Sequence, residues 1–90
     1  MKIEELYNKL KDNNVPDDWF YLHGVYGSSS EDDKICLTIK RGKYFVEFIV
    51  YEKERGEVFN KKSFKNESEA CVYLFKRLMS AKEIEDKYFK

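Results

Sequence analysis

The side chains in this chain that could do chemistry are few and scattered. His23 is the only histidine. A zinc site normally draws three or four Cys, His or acidic ligands at short, regular spacings, and nothing near His23 supplies them. Cys36 and Cys71 stand far apart, form no CxxC and have no neighbouring histidine. Each falls in an apolar pattern, so both are expected to be reduced core thiols. Ser28, His23 and Asp33 contain the residue types of a hydrolytic triad. Their spacing carries neither a nucleophile elbow nor an oxyanion hole. Gly24-Val25-Tyr26-Gly27 lacks the Lys-Ser/Thr ending of a phosphate loop. Glu31-Asp32-Asp33 lacks the alternating oxygens and closing Glu of a calcium loop. The sequence therefore predicts a non-enzyme with no catalytic residue, no metal site and no cofactor.

Two features point instead to binding. From Asp17 to Asp33 the chain carries Asp17, Asp18, Glu31, Asp32 and Asp33 and no Lys or Arg, together with Trp19, Phe20, Tyr21 and Tyr26. Aromatics are enriched at interfaces, and charge complementarity speeds encounter. Asp17, Asp18, Tyr26, Glu31, Asp32 and Asp33 are accordingly the candidate partner-binding residues, with Trp19 and Phe20 anchoring the segment to the core. The second feature is a strand with two apolar faces. Phe45, Ile49 and Tyr51 oppose the face expected to meet the helices. Either segment 17–33 folds over them, or they form an alternative contact surface, such as a homodimer through the sheet.

The elements that must position these residues follow from periodicity. Ile3, Leu6, Tyr7 and Leu10 mark one face of a helix over 2–12, ended by Asn13, Asn14 and Pro16. Segment 16–33 reads as irregular. Ile35, Leu37 and Ile39 alternate with Cys36, Thr38 and Lys40, which predicts a strand over 34–40. Arg41-Gly42 predicts a hairpin turn, 44–53 a longer strand, 54–57 a second turn, and 58–64 a polar edge strand whose lysines discourage pairing. Asn66 caps a final helix with Cys71, Leu74, Phe75 and Leu78 on its apolar face. The expected fold is a single α+β domain over 1–90: helix, irregular segment, three-stranded antiparallel meander, C-terminal helix, in two layers.

Composition narrows the function classes. Seven Tyr, seven Phe and one Trp in 90 residues can hold a small core. The 17 basic and 17 acidic residues cancel, and only Arg41, Arg55 and Arg77 are arginine. A nucleic-acid reading would rest on Lys40, Arg41, Lys43, Lys61 and Lys62; the balance of charge and the scarcity of arginine count against it. No stretch approaches the apolar length of a membrane span. The charged amino terminus does not read as a signal peptide, so a cytoplasmic location is expected.

At the level of whole-chain pattern the sequence resembles the small bacterial immunity proteins of polymorphic and contact-dependent growth inhibition toxin systems. The likeness runs over about residues 3–79. It is carried by Glu4-Glu5-Leu6-Tyr7, Val15-Pro16-Asp17-Asp18-Trp19, Leu22, Gly24, Cys36-Leu37, Val50-Tyr51, Glu54-Arg55-Gly56, Ser68-Glu69-Ala70-Cys71, Tyr73-Leu74-Phe75 and Arg77-Leu78. The chain departs from the pattern at Phe48, where a tryptophan would stand, and in the long 24–34 loop. The resemblance implies a non-enzymatic cytoplasmic protein that binds and neutralises a cognate toxin domain. It implies no particular binding residues.

Overall fold

The computed structural model describes residues 1–88. Helix α1 spans Ile3–Asp12 and buries Leu6 and Leu10, the centre of the stripe expected from its periodicity. Its amino terminus has no cap of its own: Lys2 occupies the cap position without a side-chain bond, and the Ile3 N–H donates to the Glu67 carboxylate at 3.0 Å. At the other end Asn14 takes the left-handed conformation (φ 60°), which a short polar side chain tolerates, and Pro16 follows.

Segment 17–33 is irregular only in part: 28–33 stays a loop, and 17–27 holds elements the expectation above did not include. A 3-10 turn over Asp17–Trp19 leads into strand β1, Phe20–Leu22, and a tight turn returns as β2, Tyr26–Gly27. Gly27 has φ +81° and no room for a Cβ, which would sit 2.6 Å from both the Phe20 ring and its carbonyl oxygen. Only glycine lets the chain close this tightly over the fully buried Phe20.

Strands β3 (Lys34–Arg41), β4 (Val46–Glu54) and β5 (Glu57–Phe64) follow. Both their pairings are antiparallel, but the sheet they belong to has five strands, in the order β2-β1-β3-β4-β5, because β1 adds parallel to β3. The expected three-stranded sheet is thus one part of a mixed five-stranded one. Arg55 and Gly56 both take positive φ, the geometry of a primed hairpin turn. A bulge opposite Val50–Glu52, with Asn60 at φ 51°, breaks the regularity of the β5 edge.

Helix α2 runs over Glu67–Tyr88. The Asn66 side chain caps it by accepting the Glu69 N–H at 3.2 Å. Its buried residues, Ala70, Cys71, Leu74 and Leu78, join Leu6, Leu10, Val15, Phe20, Leu22, Leu37 and Val50 in the main core. Leu78 is the last fully enclosed residue, and Ile84 and Tyr88 lie exposed beyond it. A second, smaller cluster of Cys36, Ile49 and Tyr51, flanked by Tyr21, occupies the opposite sheet face. No described helix is long and apolar enough to cross a membrane.

Candidate functional site

The opposite sheet face is closed by one acidic side chain. Glu31, in the loop before β3, accepts a hydrogen bond from the Tyr51 hydroxyl at 2.7 Å and another from the Lys53 ammonium. Its backbone carbonyl receives the Cys36 thiol at 3.4 Å. Lys53 and the Tyr51 hydroxyl hold the Glu31 carboxyl below the usual carboxylate range. Tyr51 is pushed well above the usual phenol range, first by burial and then by its bond to Glu31. Burial also raises Cys36 to about 12 and Cys71 to about 11. Both sulfurs are fully enclosed and protonated at neutral pH, the reverse of what a nucleophile needs. The arrangement is a clasp: it fixes the 28–33 loop over the sheet.

This clasp settles where the alternative contact residues lie. Ile49 and Tyr51 are only 6% and 9% exposed, so they offer little contact area. Phe45 is 56% exposed but precedes β4, in the hairpin loop, rather than extending their face. The three expected to share one surface do not.

The acidic segment also disperses in space. Asp17 pairs with Lys11 at 2.8 Å and receives the Tyr7 hydroxyl at 3.3 Å. Glu31 is spent on the clasp, and Asp32 lies 3.9 Å from Lys53. Tyr26 is no free contact residue either, because its ring stacks on Tyr7 at 4.8 Å and 21°. The single negative patch expected over 17–33 is therefore partly neutralised by bases from α1 and β4. Nothing in the local sequence marked those partners, since Glu31 and Lys53 are 22 residues apart.

Two acids do converge. Asp18, whose side chain is 90% exposed, and Asp33, in the left-handed conformation, come from opposite ends of the segment to line one cleft of about 530 Å³. Glu52, Glu54, Trp19 and Ile35 complete it with Lys34, Lys53 and Arg55. Glu52 is committed to Arg77 at 2.7 Å and Lys53 to Glu31; Lys34 stands 3.9 Å from Asp18. Asp18, Asp33 and Glu54 are the acids left facing solvent.

His23 is structural. β1 stops at Leu22, so the next inward N–H of β3 has no strand partner; the His23 Nδ1 accepts that Ile39 N–H at 3.1 Å, with the Thr38 hydroxyl 3.2 Å away. The His23 backbone N–H donates to the Leu37 carbonyl at 2.7 Å. The imidazole thus prolongs β1 by one bond, a partner that its loop-like sequence context did not reveal. Among the described residues no group of three or more His, Cys, Asp or Glu stands where it could hold a metal ion.

No protein-family model, curated protein or solved structure matches the chain.

Proposed function

We propose that the chain is a non-enzymatic protein-binding domain that neutralises a cognate secreted bacterial toxin domain, acting in the cytoplasm as an immunity protein. The observation that carries the binding half of this reading is the convergence of Asp18 and Asp33, with Glu54, on one open cleft that has Trp19 and Ile35 in its lining. Exposed carboxylates beside apolar surface suit a basic partner chain: the charges steer encounter, and the apolar lining supplies contact area. Toxin domains that act on nucleic acid are basic around their active sites, which gives such a cleft a target. The toxin half rests on the whole-chain resemblance across residues 3–79. The cleft also narrows the contact proposed for the segment. Asp18 and Asp33 engage the partner, while Asp17, Tyr26, Glu31 and Asp32 support the surface from their own intramolecular contacts.

The test starts from the adjacent gene: where it encodes a large secreted protein, that protein's carboxy-terminal domain is co-produced with this chain. Cells making both should grow, and Asp18→Lys combined with Glu54→Lys should remove protection while the protein stays folded. If the folded parent protein gives no protection and does not bind that domain, the toxin reading fails.

A further inference from the structure

The hairpin at the end of β3 away from the cleft carries a local excess of exposed positive charge. Strand β3 runs from Lys34, beside the acidic cleft, to Arg41, about 23 Å away at the usual rise per residue. At the far end the chain turns through Lys40-Arg41-Gly42-Lys43-Tyr44-Phe45, all exposed, and Lys65 follows β5 at the same end, since Phe64 pairs with Phe48. Glu47, the cross-strand partner of Lys40, accepts the Ser63 hydroxyl at 3.2 Å. The zero net charge of the whole chain thus conceals a basic hairpin tip at one end of β3 and a cleft with exposed carboxylates at the other.

The basic tip is shaped as well as charged. The Gly42 N–H donates to the Phe45 carbonyl at 2.8 Å, and a Cβ on Gly42 would meet the Phe45 ring at 3.5 Å, so that ring folds back over the turn. Tyr44 is 85% exposed, with the Lys43 ammonium 5.4 Å from its ring centre. Tyr44 packs nothing in the fold. The tip is a projection carrying an aromatic ring between cations.

We propose that this tip docks into the acidic cleft of a second copy of the same chain. Lys40, Arg41 and Lys43 would face Asp18, Asp33 and Glu54, and the Tyr44 ring would lie against Trp19 and Ile35. The exposed carboxylates of the cleft and the exposed cations of the tip are complementary, and the separation of about 23 Å prevents one molecule from satisfying itself. The contact joins unlike surfaces, so it does not close on a two-fold axis; it adds copies head to tail. Arg55 at the rim of the cleft opposes the incoming cations, and the contact is small, so association is weak and strongly salt-dependent. The inference shares with the proposed function the premise that the cleft accepts basic chains, but it needs no toxin. Protection without self-association sinks only this inference, and self-association without protection sinks only the toxin reading.

Sedimentation velocity on the full chain tests it. At about 0.05 M salt the mass should climb above the 10.9 kDa monomer as concentration rises, and at about 0.5 M it should return to monomer. A tip variant, Arg41→Glu with Lys43→Glu, and a cleft variant, Asp18→Lys with Glu54→Lys, should each stay monomeric alone. All four positions are exposed, and circular dichroism would check that both variants fold. Mixed in equal amounts the two should form a one-to-one dimer and nothing larger, because each retains one working surface. A parent protein that stays monomeric at low salt overturns the proposal, as does association that survives either variant. So does binding of a single-stranded oligonucleotide that the tip variant loses while the parent stays monomeric, which would assign the tip to nucleic acid.

Discussion

The two faces of the sheet are closed by different physics. On one, α1 and α2 bury Leu37 and Val50 beneath Leu6, Leu10, Leu74 and Leu78, with no buried polar side chain in the cluster. On the other, Cys36, Ile49 and Tyr51 are sealed by a single loop whose hold is the Glu31 carboxylate. Apolar burial is spread over many contacts and rests on no group that titrates. A polar clasp is concentrated in a few atoms and responds to pH and salt. The first face sets global stability. The second sets whether one local segment is open or shut.

The largest expected effect is on the helix side. Leu74→Ala should destabilise the domain by about 2–5 kcal/mol through the cavity it leaves, read as a drop in the urea midpoint. Phe75 is only half-buried, with Lys9 over its ring, so Phe75→Ala should cost less, about 1–2 kcal/mol. If the two changes cost the same, the phase of α2 is not as described.

Glu31→Ala should break the contrast from the other side. It leaves the Tyr51 hydroxyl without its acceptor, a loss of about 1–2 kcal/mol. Its more specific mark is local. Cys36 should become much more reactive to a thiol reagent, while Cys71, buried under the helices, should remain as slow as in the parent. Equal acceleration at both would mean global loosening and no separate clasp.

Acid should do reversibly what this substitution does permanently. The Glu31 carboxyl is depressed in the folded state, so its contribution is present above the ordinary value of 4.5 and disappears as pH falls through the lower folded value. Cys36 labelling, corrected for the thiolate fraction, should rise over that window before the far-ultraviolet signal changes. The smallest expected effect is at His23. His23→Ala frees the Ile39 N–H, which sits at an exposed position, and should cost no more than about 1 kcal/mol. A larger loss would show that β1 depends on this bond to pair with β3.

The helices and the three long strands were legible because their side chains repeat with the period of the element. Ile35, Leu37 and Ile39 announce β3, and Asn66 announces the start of α2. β1 and β2 were not legible, because three and two residues are too few to show a period. Trp19-Phe20-Tyr21-Leu22 fits a helical turn and a strand equally well, and its pairing with β3 is decided by distant residues. The same limit applied to charge. The local excess of acid over 17–33 was visible, but the bases that answer it, Lys11 and Lys53, come from other elements. Alternation carried back to Tyr44 puts Phe45 on the face of Ile49 and Tyr51, but β4 begins at Val46 and Phe45 lies exposed in the loop before it.

Helix α1 borrows its amino-terminal acceptor from Glu67, 64 residues further along the chain. A ribosome adding about 5–20 residues per second reaches that carboxylate roughly 3 to 11 seconds after α1 has been made. During that interval Leu6 and Leu10 have no α2 to cover them, and the first N–H groups of the helix have only water. The earlier of the two helices is therefore secured only when the later one arrives, and a chain stalled short of residue 67 would present a helix whose apolar face has nowhere to dock.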